Sequence, residues 1–107
     1  MLVADERTIC ERLDKCAKVA GVNITSGDKR FYLNLLDFAW KNDEWKNGEP
    51  KLCLSIVRIS AAVGGSARGA QYHIEKLVKC GAIQRITDKE NHRRTAETIF
   101  LAEIWRG

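Results

Sequence analysis

The stretch Ser55 to Gly81, SIVRISAAVGGSARGAQYHIEKLVKCG, decides how the rest of the chain is read. In its first part Ile56, Ile59, Ser60 and Val63 recur at intervals of three and four, the repeat of one helical face. Ser55 stands just before them, where a hydroxyl can accept from a free amide of the first turn. Gly64-Gly65 breaks this short helix, and Ser66 supplies a second cap. From there Ala67, Ala70, Ile74, Leu77 and Val78 form the inward stripe of another helix. It ends at Cys80-Gly81, where glycine can take the left-handed conformation that terminates helices. The spacing therefore predicts a helix, a glycine turn and a second helix.

Working outward, Ala82 to Thr87 and Thr95 to Leu101 are rich in β-branched and apolar residues and flank the charged stretch Asp88 to Arg94. They are expected to pair as a hairpin. Ala102 to Gly107, with Ile104 and Trp105, is compatible with extending the second strand or with packing back on the core. Upstream, Lys51 to Leu54 reads as a short extended run, and Asn42 to Pro50 (NDEWKNGEP) as a polar loop. Before that loop a helix beginning near Asp28 carries Phe31, Leu35, Phe38 and Ala39 on one stripe, widened by Tyr32, Leu36 and Trp40. The connector Asn23 to Gly27 is expected to bring a Ser or Asp cap to it. A first amphipathic helix places Ile9, Leu13, Cys16, Ala17 and Ala20 together and stops at Gly21.

These elements predict an α+β fold, mainly α: a winged helix-turn-helix with a three-helix core, a β-hairpin wing and an extra N-terminal helix. At 107 residues and 45% hydrophobic content one core is expected. The expected division is a single domain over 1–107, with 1–22 as a helical extension and 28–105 as the winged-helix core. Nothing approaches the roughly 20 apolar residues of a membrane span, and charge comes too early for a signal peptide, so a cytoplasmic protein with no membrane partner is expected.

The net charge of +4 is modest, but its placement is informative. Between Ser66 and Arg94 stand seven basic residues (Arg68, Lys76, Lys79, Arg85, Lys89, Arg93, Arg94) and three acidic ones (Glu75, Asp88, Glu90). The remainder holds eleven of each sign, so one segment supplies the whole excess, the pattern a polyanion would feel. On the helix after the turn, Arg68, Tyr72, Glu75 and Lys79 face outward, with Gly69, Gln71 and Lys76 at the margins. Arg and Gln can each make bidentate hydrogen bonds to base edges, Tyr72 can reach a phosphate or a thymine methyl, and the amino end beside Ser66 favours a phosphate. Lys89, His92, Arg93 and Arg94 at the hairpin tip suit a phosphate backbone or a minor groove, and Arg58 on the preceding helix is a further candidate for a phosphate contact.

With those residues in view, Arg30 to Ile83 resembles the helix-turn-helix domain of many phage and plasmid replication proteins. The match runs through Ser55, Ile59, Ser60, Gly64, Ser66, Ile74, Leu77, Gly81 and Ile83. It covers about half the chain and is shared with many winged-helix transcriptional regulators. Two departures are Gly65 in the turn and Gly69-Ala70, where a Thr-Val pair is common. The resemblance implies sequence-selective binding of double-stranded DNA in replication or maintenance of a mobile element, within a homodimer or larger replication complex. A dimeric transcriptional regulator of the same fold is the alternative, and a winged-helix protein-interaction module without DNA binding is the reading of another class. No nucleophile-base pair or phosphate loop stands out, so no enzyme and no cofactor are expected.

Cys10, Cys16, Cys53 and Cys80 form no C-x-x-C pair, and neither His73 nor His92 stands at zinc-ligand spacing from them. Treatment with a chelator or a reductant is accordingly expected to leave the melting temperature unchanged. Stoichiometric zinc on elemental analysis would contradict this.

Overall fold

Each helix of this chain has one apolar face, and the architecture follows from burying all of them together. The structure, a computed structural model, describes residues 3–41, 45–46, 49–54, 56–86, 97–101 and 103–107, with side chains for 3–41, 58–61, 63–84 and 104–107. Four helices dominate: α1 (Glu6–Ala20), α2 (Ser26–Lys41), α3 (Ile56–Val63) and α4 (Ala67–Lys79). Four short strands, β1 (Trp45–Lys46), β2 (Glu49–Leu54), β3 (Ile83–Ile86) and β4 (Glu97–Leu101), and a 3-10 turn at Glu103–Trp105 complete the described elements. The Cα radius of gyration, 13.2 Å, matches the ~13 Å of one compact body of this length.

The ends of α1 have clear local causes. Asp5 accepts from the Thr8 amide at 2.7 Å, Glu6 complements the positive end of the dipole, and Gly21 caps the other end. In α2 the cap is Thr25, not the expected Ser or Asp. Its hydroxyl accepts from the Asp28 amide at 3.3 Å while the Asp28 carboxylate accepts from the Thr25 amide at 2.8 Å. This is a capping box with Asp in the place usually held by Glu. The expected cap at Ser55 lies outside the described residues.

One core cluster gathers Ile9, Leu13 and Ala17 of α1, Phe31, Tyr32, Leu35, Leu36 and Ala39 of α2, Ile59 of α3, Ala70, Ile74 and Leu77 of α4, and Trp105. The helix α1, expected to belong to an extension beside a three-helix core, therefore contributes to the core itself. The physical reason is the C-terminal segment. Trp105 is fully buried, its carbonyl accepts from the Ala4 amide at 2.8 Å, and Val3 bridges Arg106. Arg12 donates to the carbonyls of Ile104 and Arg106. The last residues thus pack back against α1, which settles the choice left open by the sequence. Trp40, expected to widen the α2 stripe, is half exposed, and Val78 is also exposed. Val78 sits about 80° around the helix from Ala70, at the edge of the buried face.

The strands form one antiparallel sheet in the order β1-β2-β4-β3. Ile83 to Ile86 pair with Leu101 to Thr98, and Lys51 to Leu54 pair with Phe100 to Glu97, so β4 lies between β3 and β2. The stretch 42–50 is more than the expected loop: Trp45 pairs with Pro50 and Lys46 with Glu49. The signal was Asn47-Gly48, a dipeptide that favours two-residue hairpin turns. Residues 87–96, including the expected tip Lys89 to Arg94, lie outside the described residues.

Because Leu13 of α1 is buried in the core, Leu13→Ala is expected to cost about 2–5 kcal/mol in denaturant unfolding. Val19→Ala, on the exposed side of the same helix, is expected to stay within about 0.5 kcal/mol. Equal small effects would mean that α1 does not fold with the rest.

Candidate functional site

Burial of Ala70, Ile74 and Leu77 fixes the rotation of α4, and at about 100° per residue it assigns every other side chain to a direction. Arg68, Tyr72, Glu75 and Lys79 fall opposite the core and are exposed. Gln71 is exposed on one flank, where its amide lies 3.5 Å from Glu75 Oε1. Gly69, His73 and Lys76 fall on the other flank, toward α2.

The amino end of α4 is set by the turn before it. Gly64 and Gly65 have φ of 87° and 95°, a left-handed region that side chains rarely tolerate, so two glycines are needed to reverse the chain within two residues. Ser66 then resumes extended geometry and its hydroxyl accepts from the Gly69 amide at 3.0 Å. A Cβ on Gly69 would lie 3.3 Å from the Ser66 oxygen, so the glycine leaves room for the cap. Beside this end is a cavity of about 200 Å³ whose lining includes Arg30 and Asn34 of α2, Gly64, Gly65 and His73. The Arg30 guanidinium stands 3.1 Å from Glu6.

On the flank facing α2 lies a polar cluster that sequence reasoning missed. Asp28 is fully buried, and one of its oxygens lies 2.6 Å from His73 Nδ1. The other accepts from the Thr25 amide and faces the Lys76 ammonium at 3.6 Å. His73 stacks on Phe31 with ring centroids 5.2 Å apart, and Lys76 stands 4.9 Å from the centre of the Tyr72 ring. Burial pushes the Asp28 carboxyl up, but the hydrogen bonds from His73 and Thr25 and the Lys76 charge outweigh it, and the group titrates below the usual carboxylate range. A hydrogen bond with Tyr72 raises Lys76 above the ordinary lysine value, burial opposes it, and the Asp28 charge adds to the rise.

The sequence-predicted residues therefore separate into groups. Ser66, Arg68, Gln71, Tyr72 and Lys79 share the exposed surface and amino end of α4, while Lys76 is turned toward Asp28. Gly69 serves the cap. Arg58 is exposed on α3. Lys89, His92, Arg93 and Arg94 lie outside the described residues. Asp28 and His73 were missed because a carboxylate in the first turn of one helix and a histidine on another carry no pattern until the helices meet. No helix among the described residues is long and apolar enough to cross a membrane.

No protein-family model matches the sequence, and no curated protein matches it. Among solved structures, one described as "N-Terminal domain of DNA binding protein" is similar, with a TM-score of 0.58 and 16% sequence identity. The match covers 74% of this chain and 61% of that one, so it spans less than two thirds of the neighbour's length. At that identity the likeness is one of fold.

Because Asp28 titrates lower when folded than when unfolded, the stability it contributes is present above the unfolded value of about 3.9 and is lost as pH falls through the folded value. Asp28→Asn is expected to cost about 1–3 kcal/mol near neutral pH, with the gap from the native protein narrowing below about pH 4. A gap that stays constant down to pH 2.5 would show that no ionised Asp28 supports the fold.

Proposed function

We propose that this chain is a double-stranded DNA-binding module of the winged helix-turn-helix type, with α4 as the helix that enters the major groove. The observation that carries the proposal is the exposed side of α4. It presents Arg68, Gln71, Tyr72 and Lys79 on a helix of 13 residues whose capped amino end follows a tight glycine turn. Such a helix is about 20 Å long and fits the major groove, where Arg and Gln tell base pairs apart by paired hydrogen bonds. The fold likeness to a domain of a DNA binding protein supports the same reading. So does the surplus of four positive charges between Ser66 and Arg94.

The wing in this proposal is the connection between β3 and β4, which pair antiparallel with Ile86 opposite Thr98. Its Lys89, His92, Arg93 and Arg94 would follow the phosphate backbone, as would Arg58. Lys76 has a smaller part in neutralising phosphate than its charge implies, because its ammonium faces Asp28. The biological setting proposed is replication or maintenance of a plasmid or phage, in the cytoplasm. Dimeric transcriptional regulation is the second reading, and enzymatic activity is no part of either.

With about four to six phosphate contacts, log K is expected to fall with log salt at a slope of about −4 to −5. Arg68→Ala should cost about 1–3 kcal/mol on the preferred site and much less on mixed sequence. Replacing Arg93 and Arg94 together with Ala should weaken all duplexes alike and reduce the slope by about 1 to 2. A mobility-shift titration without binding to mixed duplex at low salt would refute the proposal. Loss of sequence preference only in the wing variant would transfer the reading role from α4 to the wing.

A further inference from the structure

We infer that Asp28, acting through Lys76, is the positioning residue that fixes Tyr72 as a sequence-reading side chain on α4. The inference rests on the DNA-binding reading above and names a specificity residue within it. Tyr72 is 57% exposed, yet two neighbours restrict it. The Lys76 ammonium lies 4.9 Å from its ring centre, and the His73 ring meets it at 6.2 Å with an interplanar angle of 71°. Neither neighbour is free to move. Lys76 is held 3.6 Å from a carboxylate with no solvent exposure, and His73 is bonded to that carboxylate at 2.6 Å and stacked on Phe31.

A surface lysine over a ring would ordinarily exchange among many rotamers, and an isolated contact of this kind adds little. Here the buried charge of Asp28 removes that freedom, because moving Lys76 away would leave the carboxylate short of a cation inside the protein. Tyr72 is therefore fixed before any partner arrives, and an aromatic ordered in advance loses less freedom on binding. Arg68 and Lys79 also face outward on α4, but no comparable chain of contacts to a buried group orders either of them among the interactions described. The ring edge and hydroxyl of a fixed tyrosine can discriminate the thymine methyl and neighbouring base edges, which a mobile cation on a phosphate does not.

The test uses the full chain and two probes: the best duplex recovered by selection from random sequence, and bulk mixed duplex. The ratio of the two affinities, read by fluorescence anisotropy, is the discrimination. Tyr72→Ala is expected to lower it ~10-fold. Asp28→Asn and Lys76→Met are each expected to lower it ~3-fold or more alone, and not at all in a Tyr72→Ala background. Lys76 is partly exposed, and without it Asp28 keeps its bonds to Thr25 and His73, so Lys76→Met keeps the test valid if Asp28→Asn does not fold, and thermal melting identifies that case. Losses that multiply in the double variants would overturn the inference by making Asp28 and Lys76 matter for stability or phosphate contact alone. Unchanged discrimination in Tyr72→Ala would overturn it too, as would a native protein that binds every duplex equally. A native protein that binds no duplex at low salt would instead overturn the functional reading on which the inference stands.

Discussion

A carboxylate can stay ionised away from water only if the protein replaces what water gave it, and the structure around Asp28 is arranged to do so. Thr25 supplies an amide, His73 a ring nitrogen and Lys76 a cation. Those donors come from two elements. One is the cap of α2, a local feature that any capping box provides. The other is the flank of α4, more than forty residues along the chain. A single buried group thus joins the start of one helix to the middle of another, and α4 can neither rotate nor slide on α2 without stripping it of partners.

The rotation so fixed divides α4 into three sides. Ala70, Ile74 and Leu77 go to the core, Gly69, His73 and Lys76 face α2, and Arg68, Tyr72, Glu75 and Lys79 are left to solvent. Apolar burial alone would define the first group and leave the border between the other two soft, because the hydrophobic effect has no direction within the surface it covers. Hydrogen bonds and charge sharpen that border. At the amino end the same precision comes from the backbone, where two consecutive residues at positive φ bring the chain from α3 into α4 with the Ser66 hydroxyl on the Gly69 amide.

The N-terminal helix has a different logic. A chain of this length has little interior relative to its surface, so an amphipathic helix that stayed outside the core would give up a large part of the available burial. Ile9, Leu13 and Ala17 instead meet Trp105, and Arg12 fastens the C-terminal carbonyls beside them. The two ends of the chain hold each other in place, as the contacts of Ala4 and Val3 with Trp105 and Arg106 illustrate.

What the sequence determined by itself was governed by near neighbours. The cap at Ser66, the glycine stops, the stripe on α4 and the pairs of β-branched runs are each written within a few residues, because helical and extended backbones repeat every 3.6 and every two residues. The same periodicity named Arg68, Tyr72, Glu75 and Lys79 as outward. Asn47-Gly48, a dipeptide that favours tight turns, stood in the sequence as a signal for the pairing of Trp45–Lys46 with Glu49–Pro50, though the stretch read as a polar loop. Only the tertiary structure decided that β2 lies against β4, that α1 closes on Trp105 instead of standing apart, and that Lys76 turns to a buried Asp28. Those outcomes depend on which distant surfaces meet. A charge on a helix margin looks the same in sequence whether it faces water or a carboxylate brought to it by another helix, and the cost of burying that carboxylate arises only once the helices have packed.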